Sequence, residues 1–329
     1  MNKLIQVMRS RGLFVVTSHV APDGDNIGSC IALVRYLRNM GKEAYYVLDD
    51  SFPSNLSFLY ENFDVKNSEE IKPLLAGRGY ILAALDCGDK SRLKIDGEII
   101  SAADLLLNID HHESNGSFGD LNLVVSDASS TCELIYELMM EAGEDPIDAE
   151  IATALYTGLC TDTGSFKYES AGSSAFRMAA DLLDKGAKKD LAVRSIYQND
   201  SLSYVKMAAE VMTSLERSGE IVYARLTRDV LEKYGIDFND LEELPARTVS
   251  IEGAEVGLLF KEKEEKLIKV SFRSKEWVKV NEIASHFGGG GHIRAAGCTI
   301  QGDMETAVSQ VLKKTREYMM NHERNPQHS

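Results

Sequence analysis

Short apolar runs rich in β-branched residues alternate with amphipathic stretches over the first half of the chain. Residues 13–17, 80–85 and 104–109 form such runs, and this pattern predicts three buried strands. The mixed stretches 55–61 and 68–75 lie between these strands and can form crossover helices. This alternation predicts an α/β fold, in which a parallel sheet has helices on both faces.

Helical periodicity predicts longer elements in the same region. Apolar residues recur at helical spacing from Ile27 onward, and Gly41 is placed to end that helix. Ser130 and Glu133 have the spacing of a capping box, and Gly143 would end the helix that they begin. The predicted helices are 27–40, 131–142, 148–160 and 173–183, with a polar turn at 161–165.

The second half of the chain predicts a smaller, mixed α+β domain. A long polar stretch, 188–218, favours a helical connector. We therefore predict a catalytic domain at 1–187, this connector, a C-terminal domain at 219–322 and a frayed polar tail at 323–329. The elements predicted after the connector are strands at 221–226, 254–260 and 267–272, and helices at 227–234, 280–287 and 304–320.

Composition narrows the possible partners of the chain. Its 329 residues are enough for two domains with separate cores. A net charge of −15 argues against long duplex nucleic acid, which needs broad basic surfaces, but not against a short anionic substrate. The apolar stretches fall short of the roughly 18 residues of a membrane helix, so we expect no membrane partner. The five widely spaced cysteines favour reduced thiols and a cytoplasmic location.

Potential metal ligands follow each of the three predicted strands. The densest group lies in the stretch 18–29, whose proline and glycines are typical of a loop. In open α/β sheets, ligands bind outside the carboxyl ends of the strands, where these residues would lie. The full set is His19, Asp23 and Asp25 after the first strand, Asp86 after the second, Asp110, His111 and His112 after the third, and Asp162 after the helix 148–160.

Carboxylates and imidazoles without thiolates suit Mn²⁺ best, with Mg²⁺, Co²⁺ or Zn²⁺ as alternatives. The ligands outnumber those that one ion needs, so we predict two ions bridged by one carboxylate, an arrangement that clamps a phosphoryl group. Each residue alone has an ordinary explanation. Asp86 can cap a helix, Asp162 can form a turn, and 51 acidic residues produce close pairs by chance. Their occurrence together at strand ends favours the metal site.

The run of four glycines at 288–291 is the second candidate site. It can be a flexible linker, or its backbone N–H groups can form an anion nest next to His292. Arg273 can bind a terminal phosphate through its guanidinium fork, or it can be one of several basic residues on a strand surface.

These motifs together resemble the DHH phosphoesterase family, which is named for the motif standing here as Asp110-His111-His112. The resemblance covers almost the whole chain and is closest to the short two-domain oligoribonuclease type. Cys132 and Ile293 depart from the family pattern, in which a small residue and a lysine are usual at those places. The other matching motifs are His19-x-x-x-Asp23-x-Asp25, the strand-end Asp86, the segment 158–166, Ser271-Phe-Arg273-Ser, and the glycine-rich segment 288–297 of the DHH-associated C-terminal domain.

The resemblance implies a role for each candidate residue and a possible homodimer. Asp86 would bridge two divalent ions and, with His112 facing the scissile phosphate, would be catalytic. Asp110 would orient an imidazole. One ion would be held by His19, Asp23 and Asp86, and the other by Asp25, Asp86, His111 and Asp162. Substrate would be bound by Ser271, Arg273, Gly289, Gly290, Gly291 and His292.

The activity implied is hydrolysis of short oligoribonucleotides to mononucleotides and removal of the 3′-phosphate from 3′-phosphoadenosine 5′-phosphate. The main alternative is a phosphodiesterase for cyclic or linear dinucleotides. A manganese pyrophosphatase shares the metal motifs, and longer exonucleases of the family carry additional nucleic-acid-binding modules. From a different class, the chain could be a non-catalytic nucleotide-binding protein, although no predicted ligand is missing.

Overall fold

The computed structural model forms two compact units, which divide between Asn199 and Asp200. The predicted tail 323–329 lies outside the residues that the structure describes. Among the described residues, the helices all fall short of the length and apolar character that a membrane crossing requires. The structure describes residues 1–10, 12–143, 147–238, 241 and 244–322.

The first unit is built on a parallel sheet, which confirms the predicted fold class. Its strand order in the described residues is 3-2-1-4-5-6, counted along the chain. In this order the connections reverse direction between the first and fourth strands, and open α/β sheets bind ligands outside the carboxyl ends of the strands at such a reversal. The strands are β1 (Leu13–Thr17), β2 (Glu43–Val47), β3 (Val65–Lys66), β4 (Ile81–Leu85), β5 (Leu105–Asp110) and β6 (Leu121–Val124).

Helices cover both faces of this sheet. Side chains alternate along β1, so that Phe14 and Val16 enter one apolar core while Leu13 and Val15 enter another. The helices are α1 (Asn2–Arg9), α2 (Gly24–Asn39), α3 (Ser57–Tyr60), α4 (Ser68–Leu75), α5 (Gly97–Ser101), α6 (Thr131–Ala142), α7 (Ala149–Asp162), α8 (Ser173–Asp184) and α9 (Lys189–Tyr197), with short 3₁₀ turns at Ser54–Leu56 and Lys90–Arg92.

Two of the helix boundaries that differ from the prediction concern candidate ligands. Helix α2 begins at Gly24 rather than Ile27, because the Asp23 side chain accepts a hydrogen bond from the Asn26 N–H and caps the helix there. Asp25 therefore lies in the first helical turn and not in a loop. Helix α7 continues to Asp162, which was predicted in a polar turn.

The second unit is mixed α+β, as predicted. Its sheet has the strand order 11-12-10-9-8-7 in the described residues, and β8 and β9 are parallel while the other neighbours are antiparallel. The elements are α10 (Leu202–Thr213), β7 (Glu216–Ser218), β8 (Ile221–Leu226), α11 (Arg228–Tyr234), α12 (Leu244–Val249), β9 (Val256–Glu264), β10 (Leu267–Ser274), α13 (Val280–Ser285), β11 (Gly290–His292), β12 (Ala295–Gln301) and α14 (Met304–Asn321).

Two stretches of the chain are more structured than their composition indicated. The connector predicted at 188–218 contains two separate helices, α9 and α10, followed by the strand β7. Part of the glycine run forms the edge strand β11, which pairs with β12. Neither short edge strand has the alternating apolar pattern by which strands are recognised, because edge residues are half-exposed.

Candidate metal centre

The carboxyl ends of β1 and β4 bring the first ligands together. His19 is fixed by a 2.7 Å hydrogen bond between its Nδ1 and the Val20 carbonyl, and its Nε2 lies 3.3 Å from Oδ2 of Asp86. Asp86 follows β4 directly, is buried, and has a left-handed backbone with φ of 51°. The Asp86 N–H donates to the carbonyl of Ile109, which ties this turn to the neighbouring strand β5.

The DHH segment at the end of β5 supplies two buried imidazoles. His111 Nε2 lies 3.8 Å from Oδ2 of Asp25, 3.7 Å from Oδ1 of Asp86 and 3.4 Å from Oδ2 of Asp162. His112 is oriented differently, because its Nδ1 lies 2.7 Å from Oδ1 of Asp110. Both rings are buried, so these polar contacts are shielded from water.

Within the described residues of the first unit, the predicted ligands gather into three groups. Within each group, one potential ligand atom per residue lies within 4.8 Å of the others. We call these the His19 group (His19, Asp23 and Asp86), the His111 group (Asp25, His111 and Asp162) and the His112 group (Asp86, Asp110 and His112).

The carboxyl groups of this centre are buried and lie close together, and both conditions act on their pKa values. Burial, together with the charges of Asp86 and Asp162, raises the pKa of Asp25 well above its usual range. Burial raises the pKa of Asp162 to about 7, because the opposing charge of His111 offsets it only in part. Burial also acts to raise the pKa of Asp86, but the hydrogen bond from His19 and the nearby imidazole charges outweigh it and hold this pKa far below the usual range.

The pKa values of the three imidazoles are raised, although burial acts to lower them. Burial lowers the pKa of His19, but the hydrogen bond to Asp86 and the charges of Asp86 and Asp23 outweigh it, and the pKa rises to about 9. Burial is likewise outweighed at His111, whose pKa rises to about 10 because three carboxylates surround its ring. At His112 the bond to Asp110 outweighs burial and raises the pKa.

This donor set fits divalent cations. Within the described chain, the ion-pair partners of Asp25, Asp86 and Asp162 are histidine rings, not lysine or arginine. Buried carboxylates are retained when they are paired or coordinate metals. Oxygen and imidazole donors are those that Mn²⁺, Mg²⁺ and related ions take in proteins.

The substrate residues predicted in the second unit lie on β10 and at β11, the two strands that flank β12. Arg273 on β10 and His292 on β11 are both register partners of Ala295 on β12, so the three residues form one row across the sheet. Ser271 and Gly290 are likewise both partners of Gly297, which gives a second row. Small residues in the middle strand thus separate the polar residues on either side.

The glycine run is required by close packing at two of its positions. A Cβ on Gly289 would lie 2.2 Å from the carbonyl oxygen of Gly297, and one on Gly291 would lie 2.6 Å from that of Ala295. Gly291 also has a φ of 138°, which side chains rarely adopt. A Cβ on Gly290, by contrast, would meet no atom within 4 Å. The run is therefore an ordered strand edge with an open position at Gly290.

Comparison with known proteins identifies the family. Residues 13–159 match the family described as "DHH family, N-terminal domain", and residues 218–321 match the "DHHA1 domain". The protein named bifunctional oligoribonuclease and PAP phosphatase NrnA of Thermus thermophilus is 34% identical over 326 residues, covering 96% of this chain and 94% of that protein. The chain belongs to the DHH family. The resemblance drawn from the motifs is thereby confirmed.

Two further proteins are similar to this chain over nearly their whole length. The protein of the same name from Bacillus subtilis is 28% identical over 302 residues, which cover 91% of this chain and 92% of that protein. The crystal structure of an exopolyphosphatase-related protein from Bacteroides fragilis superposes with a TM-score of 0.88 and 26% identity, covering 97% of this chain and 96% of that one. The two-unit architecture is thus shared with a solved structure.

Sequence reasoning missed several residues that hold the DHH ligands in place. Asn108 donates to the carbonyls of Ala84 and Cys87, which flank Asp86. Asn115 donates to Oδ2 of Asp110 at 2.6 Å. Asn108 had a visible signal, because an asparagine inside an apolar strand must find hydrogen-bond partners. Thr131, which contacts both Asp25 and Asp86, had none.

Proposed function

We propose that this protein is a metal-dependent phosphoesterase that hydrolyses short oligoribonucleotides to mononucleotides and removes the 3′-phosphate from 3′-phosphoadenosine 5′-phosphate. The observation that carries the proposal lies at the carboxyl edge of the parallel sheet. There Asp86 belongs to the His19 group and also lies 3.7 Å from His111 of the His111 group. Relatives named as oligoribonuclease and PAP phosphatase support the substrate class, because they match 96% and 91% of this chain.

The ligand groups suit two divalent ions, of which Mn²⁺ is the first choice for this donor set. His19, Asp23 and Asp86 would hold one, and Asp25, His111 and Asp162, with Asp86 shared, the other. Such ions supply positive charge to a phosphoryl group and its leaving oxygen. The histidines and carboxylates of the protein fix where that charge is placed.

His112 and Asp110 form the proposed proton-handling pair. Asp110 accepts the bond from His112 Nδ1, so a proton exchanged with the substrate would pass through Nε2 of the same ring. Asn115 holds the other oxygen of Asp110, which restrains the pair as a whole. We therefore assign His112 to hydrogen bonding of the scissile phosphate or to protonation of the leaving oxygen.

The second unit is proposed to bind the remaining part of the nucleotide. The row containing Arg273 and His292 offers a guanidinium fork and an imidazole, both suited to a terminal phosphate. Gly290 stands at an open position of the adjoining strand edge, where backbone groups can approach an anion. Ser271, Gly289 and Gly291 complete the proposed binding surface.

A cytoplasmic location and a possible homodimer complete the proposal. The five cysteines are free thiols and buried, which supports a reducing compartment. Light scattering of the purified protein measures whether it is a dimer.

The proposal is tested by incubating the purified protein with RNAs of two to about ten nucleotides and with 3′-phosphoadenosine 5′-phosphate. Each reaction is run with Mn²⁺, with chelator, and with Mn²⁺ restored. We expect metal-dependent release of mononucleotides and phosphate that falls steeply as the RNA lengthens. Turnover confined to cyclic or linear dinucleotides would replace the proposal with the dinucleotide phosphodiesterase. Metal binding without any turnover would favour a nucleotide-binding protein.

A further inference from the structure

The first turn of α6 contacts Asp25 of the His111 group. The Thr131 N–H donates to Oδ2 of Asp25 at 2.6 Å, and the Cys132 N–H donates to Oδ1 at 2.8 Å. N–H groups in a first helical turn have no partner within their own helix. Here the carboxyl group of Asp25 on α2 accepts two of them. Both oxygens of Asp25 are thereby fixed in direction.

The same threonine also contacts Asp86. Its hydroxyl donates to Oδ1 of Asp86 at 3.2 Å, and Thr131 is completely buried. The two oxygens of Asp86 face different histidines, because Oδ2 lies 3.3 Å from Nε2 of His19 while Oδ1 lies 3.7 Å from Nε2 of His111 and 3.6 Å from Nδ1 of His112. The hydroxyl therefore engages the oxygen on the His111 side.

We infer that Thr131 is a positioning residue that joins the His19 group and the His111 group. Its N–H fixes Asp25, and its hydroxyl fixes the shared Asp86. The inference rests on the proposed two-ion site. A carboxylate oxygen has two lone pairs that can accept. The hydrogen bonds from Thr131 to Oδ2 of Asp25 and to Oδ1 of Asp86 therefore leave one lone pair on each of these two oxygens for an ion. The hydroxyl restrains rotation of the Asp86 carboxylate, which would otherwise exchange the oxygens that face the two groups.

The substitution Thr131→Val tests this inference, because it keeps the N–H and the branched shape and removes only the hydroxyl. Metal-free protein is titrated with Mn²⁺ by calorimetry, which gives the number of ions and the affinity of each. We expect wild type to bind two ions. In Thr131→Val the weaker-bound ion should lose about tenfold in affinity, the scale of losing a partner that orients a ligand. The Mn²⁺ concentration that half-saturates activity should rise in parallel.

Two further variants separate the effect of the hydroxyl on metal affinity from the effect of side-chain packing. Thr131→Ser keeps the hydroxyl and should retain wild-type affinity for both ions. Thr315→Val removes an equally buried hydroxyl whose partner is the Val311 carbonyl within α14, and it should change neither ion. Wild-type affinities in Thr131→Val would overturn the inference, as would equal weakening in Thr131→Ser. A wild type that binds fewer than two ions would instead overturn the proposed two-ion site.

Discussion

Asp86 combines a buried carboxylate with a left-handed backbone, and both features are costly. A non-glycine residue in this conformation costs on the order of 1–3 kcal/mol unless its surroundings hold it there, although aspartate and asparagine tolerate it best. Here the Ile109 carbonyl accepts the Asp86 N–H, and Asn108 binds the carbonyls on either side of the turn. This cost in free energy is thus incurred at Asp86, which belongs to the His19 group and lies beside His111 of the His111 group.

Asp86→Asn should retain the fold and abolish turnover. Asparagine adopts the same backbone conformation, so the change keeps the turn while it removes the charge and replaces one oxygen of the shared ligand with an NH₂ group. Loss of a partner that merely orients a ligand costs 10–100-fold, so we expect kcat to fall more than about a hundredfold. The measurement is kcat at saturating Mn²⁺, with Asp303→Asn, which exchanges one good helix cap for another, as the control. Substantial turnover in Asp86→Asn would contradict the shared-ligand assignment.

Arg273→Ala should raise KM for short oligonucleotides more than it lowers kcat. A guanidinium that holds the far phosphate contributes equally before and during the reaction, so its loss weakens binding without slowing the chemical step. A charge-assisted bond of this kind is worth about 1.5–3 kcal/mol, which corresponds to about tenfold or more in KM. Lys313→Ala, which removes an exposed charge from α14, is the control. An unchanged KM in Arg273→Ala would remove this residue from the substrate site.

At the scale of elements, the centre depends on how closely α2, α6 and α7 approach one another. Gly158 of α7 lies where a Cβ would be 2.3 Å from Sγ of Cys132 and 2.9 Å from Cα of Asp25. A Cβ on Gly28 of α2 would similarly lie 2.5 Å from the Ala154 carbonyl oxygen. Small residues therefore allow the helix carrying Asp162 to lie against the helix carrying Asp25.

Gly158→Ala should destabilise the protein and weaken metal binding together. The added methyl group must displace backbone of α2 or the Cys132 side chain, and overpacking of this kind costs about 1–3 kcal/mol. Thermal unfolding and Mn²⁺ titration measure the two effects. Gly97→Ala is the matched control, because a Cβ there would meet no atom within 4 Å. Wild-type stability in Gly158→Ala would show that the helices can separate without cost.

A turn with left-handed backbone follows shortly after Asp162. Gly164, Ser165 and Phe166 have φ values of 56°, 58° and 62°, so three successive residues are left-handed. Such residues normally occur singly. The Ser165 N–H returns to the Cys160 carbonyl, and the Phe166 N–H is accepted by the Thr163 hydroxyl. The turn is therefore held by the end of the helix that presents Asp162.

At the scale of the molecule, the chain has a net charge of −15, and several of its carboxylates lie beside histidines in the metal centre. In metal-free protein this centre should make stability depend on pH. Asp162 has a pKa of about 7 in the folded state, above its usual value, so its favourable contribution is present below about pH 4 and is lost as the pH rises toward 7. His19, with a pKa of about 9, contributes below its usual value near 6.5 and loses that contribution as the pH rises through 9.

We therefore expect the melting temperature of chelated protein to fall between about pH 6 and pH 9, and Mn²⁺ to restore it most at the higher pH, where fewer protons compete for the ligands. Scanning calorimetry with and without Mn²⁺ measures both. Asp162→Asn should flatten the decline below pH 7 specifically. A melting temperature that stays level or rises in chelated wild type would contradict the charge balance described here.

Much of the fold was predictable, because hydrophobic periodicity is local. The strands β1, β4 and β5 and the mixed second unit follow from it, and the DHH motifs indicated the family. The residues at which the helices begin were harder to predict from the sequence. Whether Asp25 lies in a loop or a helix depends on one capping bond from Asp23, and the pattern of apolar residues carries no information about that bond.

By itself, the sequence determined which residue types stand at the strand ends, and hence the carboxylate and imidazole chemistry of this protein. Only the tertiary structure decided how they are grouped: which oxygen of Asp86 faces which histidine, that Thr131 reaches both Asp25 and Asp86, and that Arg273 and His292 share a row. The physical reason is that strand order, register and helix approach join residues tens of positions apart, and those pairings depend on packing of the whole core.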